Sequence, residues 1–570
     1  MPESESDKPS RRLLVVSNRL PVRVDRSEDG FSYEPVAGGL ATSLDSVRQV
    51  EEMVWLGWPG VHVRSKDSRQ EIEDHLATAY GSVPLFLPKA KFDRYYDGFS
   101  NGTIWPLFHY FPQNAHYDAA EWRAYRDINA EFGKRIVEIA EPGDRLWIHD
   151  YQLLLLPQMV REALPDIPIG FFLHIPFPSS ELFRMLPWRE EILQGLLGAD
   201  LIGFHSFSYA RHFLSSLLRL LGLEQEFGEI LVGERRVRID TFPLGVDLKR
   251  FTSGLKTPAV RAELEDLRKT TQGRKVVLTV DRLDFTKGIP RRLETFEHFL
   301  AAHPEWHDRV TLISLTVPSR TGVPEYQILK REVDELVGRI NGRFGQPGWA
   351  PIWYLYRFLP FERLLALYQL ADVALVTPLR DGMNLVAKEY LAARPDGTGV
   401  LVLSETAGAA EELGEALIVN PHNTEAMSDA LLAALDMPIG EQKMRNEPML
   451  ARLRSYDVVH WAEDFLRHLD AAGESVDRRV QETLEGEWGA RLRAAYQDAQ
   501  RRLLLLDYDG TLVPFAPRPE DASPDPVLLK DLHALASDGK NTVVIVSGRD
   551  QATLESWVGS VGAALVAEHG

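Results

Sequence analysis

A chain of 570 residues with 44% apolar content is too long for one ordinary domain and carries enough apolar material for two or three packed cores. Its net charge of −19 weighs against a nucleic-acid backbone as partner, so any anionic substrate must be held by local Arg and Lys clusters working against the global field. With no cysteine in the sequence, disulfides, thiolate chemistry and Cys-ligated zinc are excluded.

The N-terminal stretch MPESESDKPSRR is polar, has no apolar h-region and reads as a flexible tail over residues 1–12. No apolar run approaches membrane-spanning length, so the expectation is a soluble cytoplasmic protein without a membrane partner. Strand-length apolar runs then alternate with helix-period segments, the pattern of parallel α/β domains with covered sheets. RLLVVSN (12–18), MVWLGW (53–58), DRLWIHD (144–150), IPIGFFLHI (167–175) and ADLIGFH (199–205) read as strands. YARHFLSSLLRLLGL (209–223) reads as a helix stopped by Gly222, and EILVGERRVRI (229–239) as a hairpin turning at Gly233 and Glu234. DTFPLGVDLKRF (240–251) is the expected hinge to a second α/β series that starts near Lys275. The predicted organisation is a first doubly wound domain over 13–245, a second over 246–460 and a helical return segment and linker over 461–500. A third, short α/β start covers 501–570, with strands in RRLLLLDYDGTLVPF and NTVVIVSGRD.

Two such domains facing each other place their strand carboxyl ends, and the loops that follow, across one cleft, and the chemistry-bearing residues do fall at strand ends. Arg19 stands just past a strand in VVSNRLPV, and Gly39 belongs to a Gly pair opening a helix in VAGGLATSL (36–44). RYYDGFSNGTIWPLFHY (94–110) reads as one polar-rich loop in which Tyr96, Trp105 and their aromatic neighbours offer rings and polar handles to sugar faces and phosphates. A buried aromatic cluster under a long loop would give the same composition. Asp150, His174 and Arg320 end further strands. In DRLDFTKG (281–288), Arg282 and Lys287 are two cations able to approach one diphosphate, whose negative charge grows as it departs. TPLRDGMNLVAKEY (377–390) turns from a strand into a helix and so presents free N–H groups and a positive helix end to an anion. The carboxylates of Asp381 and Glu389 flank that turn and suit sugar hydroxyls, which together suggests a nucleotide-sugar site; alone, an ordinary βα turn would look alike.

The motifs VVSNRLPV, AGGL, WLGWPG, YYDGFSNGTIWPLFHY, WIHDYQLLLLPQMVR, IGFFLHIPFPSSELFR, DRLDFTKGIPRRL, VGRINGRFG, TPLRDGMNLVAKEY and LSETAGAAEEL occur in the order seen in trehalose-6-phosphate synthases, and the resemblance runs from about Leu13 to Leu469. It implies two Rossmann-like domains facing a cleft (GT-B) and metal-free, cofactor-free transfer of glucose from UDP-glucose to glucose 6-phosphate with retention. In the mechanism favoured for that family, the departing phosphate oxygen accepts the acceptor's proton on the same face, with no covalent enzyme intermediate. Carried over by motif, Arg19, Tyr96, Trp105 and Arg320 resemble the acceptor site, with Asp150 facing the sugar near it. Gly39, Arg282, Lys287 and the backbone of Gly382, Met383, Asn384, Leu385 and Val386 resemble the diphosphate site. Glu389 is similar in position to the residue holding the ribose, and Asp381 and His174 to those holding the donor glucose. The residues implied in catalysis are His174, Arg282, Lys287 and Asp381. One departure is Gln152, where the family usually has His.

The third segment resembles the start of a haloacid-dehalogenase phosphatase of the trehalose-6-phosphate phosphatase kind. LLLLDYDGTLVPF fits a DxDGT signature, which implies Asp507 as nucleophile and Asp509 as acid/base, both near Mg²⁺, followed by Gly510 and Thr511; VVIVSGR supplies Ser547 for phosphate. A later Lys and an acidic pair would complete that site, so the segment reads as a truncated or vestigial phosphatase domain, with Mg²⁺ needed only by a complete one. Competing expectations are a relative using glycerol 3-phosphate as acceptor and a silent regulatory homologue; a homo-oligomer is possible in each case. Loss of Arg282, Lys287, Asp381 or Glu389 would mark the silent homologue, and all four are present.

Overall fold

In the computed structural model the described residues are 12–27, 30–35, 44, 48, 52–226, 228–233, 235–320, 323–479, 487–514 and 519–568. Of the expected tail (1–12), residues 1–11 lie outside them, as does the Gly pair at 38–39, whereas Arg12 is held by Asp144 and Ile139 O and belongs to the fold. The chain divides into Met1–Glu474 and Ser475–Gly570.

The first unit holds two sheets. In the larger, the spatial order is Ser82–Pro84, Met53–Trp58, Leu13–Arg19, Arg145–His149, Ile169–Phe172, Leu201–Phe204 and Arg235–Thr241, all parallel, and then Glu229–Val232 and Gln225–Glu226, antiparallel. The smaller sheet is parallel throughout, in the order Ile352–Tyr356, Val310–Val317, Lys275–Arg282, Val373–Val376, Val400–Ser404 and Leu417–Val419.

The apolar runs are continuous because helices cover both faces of each sheet. Leu14 and Val16 enter one core and Leu13 and Val15 the other, as the two-residue period of a strand requires. Val276 and Leu278 are divided from Val277 in the same way in the second sheet. The winding reverses at the first strand of each sheet, since Leu13–Arg19 lies between Met53–Trp58 and Arg145–His149, and Lys275–Arg282 between Val310–Val317 and Val373–Val376. Crevices open outside the carboxyl ends at such reversals, and Arg19 and Arg282 stand there.

The helix Val458–Arg479 returns from the second lobe and packs Trp461 and Phe465 into the core under the first sheet. Gly170 and Gly203 make room, since a Cβ on either would meet the Phe465 ring at 2.6 or 2.8 Å. Among the described residues no helix is long and apolar enough to cross a membrane.

The second unit has a parallel three-stranded sheet in the order Arg502–Asp507, Asn541–Val546, Ala564–Val566, with the helices Pro526–Ser537 and Gln551–Val558. Its core gathers Tyr508, Leu532, Ile545 and Leu554.

Candidate active site

The segment expected as a loop at 94–110 is helical. Arg94–Ile104 winds as a wide π-helix and runs into the turn Trp105–Phe108. Its glycines serve packing. A Cβ at Gly98 would meet the Glu121 side chain at 2.5 Å, and one at Gly102 would overlap the His116 ring. A π-helix re-aims the side chains after it, and here it delivers Tyr96 and Trp105 to the end of the first sheet. The Arg19 guanidinium lies 5.2 Å over Tyr96 and 4.9 Å over Trp58.

Trp105 is buried and carries a cation from the other lobe. Arg320 lies 4.2 Å over its ring and Arg282 5.7 Å. Arg320 donates to Asp284 Oδ2 at 2.8 Å, to the Tyr326 hydroxyl and to the Tyr151 hydroxyl at 3.3 Å. Asp284 accepts from Thr286 N at 3.0 Å and Thr286 Oγ1 at 2.9 Å, and the Trp105 indole N–H approaches it at 3.4 Å. Burial alone would raise this carboxyl, but Arg320, Arg282 and the Thr286 N–H hold it below the ordinary range. Arg320 remains firmly cationic although buried, because Tyr151, Asp284 and Tyr326 surround it with favourable partners.

Asp150 ends its strand with φ 77°, a conformation that few non-glycine residues adopt. Its N–H donates to Phe172 O at 2.8 Å, and its Oδ1 faces the His174 N–H at 3.3 Å. Burial pushes its carboxyl up to about 6, against the pull of hydrogen bonds and of Arg282 and Arg320. Burial lowers His174 to about 3, so its imidazole is neutral.

In the second lobe, Lys287 pairs with Asp381 Oδ2 at 2.5 Å, and Asn384 Nδ2 donates to the same oxygen at 3.0 Å. The loop behind Lys287 is held by Arg292, which is buried against Asp281 and donates to Lys287 O at 2.9 Å. Asn384, with φ 70°, turns the chain into the helix Leu385–Ala392. Met383 and Gly382 are buried, Leu385 and Val386 half-buried, and the turn rests against the first lobe: a Cβ on Gly382 would overlap the His174 carbonyl oxygen. Glu389 lies on that helix, accepts from the Tyr368 hydroxyl at 2.7 Å and is raised by burial. The buried Lys388 beside it bonds Leu244 O at 2.8 Å and Glu412 at 2.6 Å, tying the helix to the crossover between the lobes.

Residues expected for the donor and the acceptor thus meet across the lobes where Arg320 and Arg282 lie over Trp105 and where Gly382 abuts His174, while Gly39 lies outside the described residues. Sequence reasoning did not single out Asp284, Tyr151 and Tyr326, which fix Arg320, and it named Asn384 for its backbone and not for the side chain that bonds Asp381. In chain order, Asp284 reads as a cap for the turn Phe285–Lys287, which it also is.

In the second unit Thr511 Oγ1 bonds Asp507 at 2.9 Å. Asp509 accepts from Ser547 Oγ at 3.1 Å, and from Arg549 Nε at 3.0 and 3.1 Å and Nη2 at 2.5 Å. This arrangement does not fit Mg²⁺, because a guanidinium already occupies both Asp509 oxygens. Among the described residues no group of three acidic or histidine side chains is placed to hold a metal.

The model of glycosyltransferase family 20 matches residues 11–471. The chain belongs to glycosyltransferase family 20. The trehalose-phosphatase model matches residues 505–570 of this family 20 chain. A bifunctional trehalose-6-phosphate synthase/phosphatase from Thermoproteus tenax is 48% identical over 577 residues, covering 98% of this chain and 77% of the relative. A crystal structure of an α,α-trehalose-phosphate synthase (UDP-forming) from Burkholderia xenovorans in complex with glucose-6-phosphate is 34% identical with TM-score 0.72, covering 80% of this chain and 100% of that one. An E. coli trehalose-6-phosphate protein bound with UDP-2-fluoro glucose is 34% identical with TM-score 0.73, covering 80% of this chain and 98% of that one. The two-lobed GT-B architecture is therefore that of family 20.

Proposed function

We propose that this glycosyltransferase transfers glucose from UDP-glucose to the 1-hydroxyl of glucose 6-phosphate, with retention, giving α,α-trehalose 6-phosphate and UDP. The observation that carries the reading is Arg320, a second-lobe cation stacked on the first-lobe Trp105 and adjoining Asp150 and Tyr151. It suits a phosphate-bearing acceptor held between the lobes. Arg19 on Tyr96 adds a second charge from the other side. Lys287, Arg282 and the N–H groups at the start of Leu385–Ala392 are the groups for the departing diphosphate, whose growing charge they would stabilise. Asp381 and His174 would hold the donor sugar, Glu389 the ribose. Release of the nucleoside diphosphate, UDP from UDP-glucose or ADP from ADP-glucose, against glucose 6-phosphate or glycerol 3-phosphate tests this: the UDP-glucose and glucose 6-phosphate pair should be fastest, and a preference for glycerol 3-phosphate would refute it.

For the second unit we propose that the Asp509–Arg549 pair blocks phosphatase turnover in this chain, because a carboxylate bonded through both oxygens by a guanidinium and by Ser547 is not free to meet Mg²⁺ or the phosphoryl group. Phosphate released from trehalose 6-phosphate with Mg²⁺ present should stay at background; steady release abolished by Asp507→Asn would contradict this.

A further inference from the structure

His174 does not stand alone. Behind it, at the carboxyl end of the strand Arg145–His149, His149 places Nδ1 3.1 Å from His174 Nε2. The His205 ring lies 5.3 Å from His174 on another side, and Trp147, Phe172 and Trp461 close the surroundings. Burial keeps all three imidazoles neutral. At a 3.1 Å contact between two neutral rings, one nitrogen must carry the proton and the other must not.

Which one does so follows from the far side of His149. Its Nε2 is buried and has no hydrogen-bond partner, and the Trp147 ring sits 4.7 Å away. The indole N–H groups of Trp147 and Trp461, whose rings pack on this side, are also buried without a partner, and no described residue accepts a hydrogen bond from Nε2. An orphaned N–H in such a place is rarer and more costly than a bare acceptor nitrogen. His149 therefore keeps its proton on Nδ1, where His174 accepts it. His174 must then carry its own proton on Nδ1, the nitrogen that makes no hydrogen bond to a described residue and is not sealed in.

We propose that His149 is a positioning residue that fixes His174 as the Nδ1–H tautomer, so that His174 meets an oxygen of the donor sugar as a neutral hydrogen-bond donor. The functional half of this inference rests on the reading above that His174 touches the sugar.

The test uses the full chain labelled with ¹⁵N-histidine, with His174 assigned through His174→Gln and its protonated nitrogen identified by long-range ¹H–¹⁵N correlation. The wild type should carry the His174 proton on Nδ1. His149→Asn, whose side-chain amide offers a donor near the position of Nδ1, should keep it there; His149→Leu should release it toward Nε2. Turnover per KM for UDP-glucose should fall about 2- to 12-fold in the Leu variant, the loss expected for one neutral hydrogen bond. The Asn variant should recover most of it, and UDP, which lacks the sugar, should bind all three forms equally. A wild-type proton on Nε2, or Asn and Leu variants alike in spectrum and rate, would overturn the proposal. Wild-type turnover by His174→Gln would instead overturn the reading of the sugar site, leaving the tautomer measurement to stand by itself.

Discussion

Arg320 shows how much a single residue owes to distant ones: its carboxylate partner is 36 positions back, and the ring under it is in the other lobe. Arg320→Ala should weaken glucose 6-phosphate about 10- to 150-fold, the range of a charge-assisted phosphate contact of about 1.5–3 kcal/mol, with UDP binding nearly unchanged. Equal losses for both ligands, by calorimetry, would contradict the assignment. Lys287→Ala should instead act mainly on turnover, since its charge is one of those proposed for the leaving group. Asp150 carries a pH signature. Its carboxyl is raised to about 6, so between the ordinary carboxylate range near 4 and that value the folded chain holds a proton there that the unfolded chain has lost. This group's contribution to stability therefore falls as pH rises through that window. The unfolding free energy of wild type minus Asp150→Asn should decline by about 1.4 kcal/mol per pH unit between about pH 4 and 6. A flat difference would mean that Asp150 is not buried as described.

Elements were legible in sequence wherever both faces of a strand are buried, because burial on both sides leaves an uninterrupted apolar run such as Arg145–His149 or Val373–Val376. The same logic placed Gly222, φ 68°, at the end of its helix. It failed at Arg94–Ile104, where Gly98, Asn101 and Gly102 resemble loop formers; what selects the helix is close approach to Glu121 and His116, contacts that appear only in the fold. Arg19, Asp150 and Arg320 were legible as polar residues just at or past strand ends, whereas the network of Asp284, Tyr151 and Tyr326 was not, since those partners converge from separate elements. The turn before the helix Leu385–Ala392 leaves no room for a side chain at Gly382. Gly382→Ala would drive a methyl into the His174 carbonyl, and backbone cannot yield as a rotamer does. An overpacking cost of about 1–3 kcal/mol should appear as a lower melting temperature, with turnover per KM falling as the turn is displaced. Full activity in this variant would show that the lobes do not need that contact to work.

At the scale of the molecule, two sheets reverse their winding at Leu13–Arg19 and Lys275–Arg282, and the return helix Val458–Arg479 fastens the second lobe's end into the first lobe's core. The groups proposed for the acceptor lie mostly in the first lobe and those proposed for the donor mostly in the second, so a pair of substrates bridging them should draw the lobes together. X-ray scattering should therefore report a smaller radius of gyration with UDP plus glucose 6-phosphate than without, and superimposable profiles would count against ligand-driven closure. The most direct test of the account as a whole is the bond the enzyme makes. Proton NMR of the product formed from UDP-glucose and glucose 6-phosphate should show two α-anomeric signals of a non-reducing α,α-linked disaccharide phosphate, and a β linkage, or free glucose from hydrolysis of UDP-glucose, would contradict it.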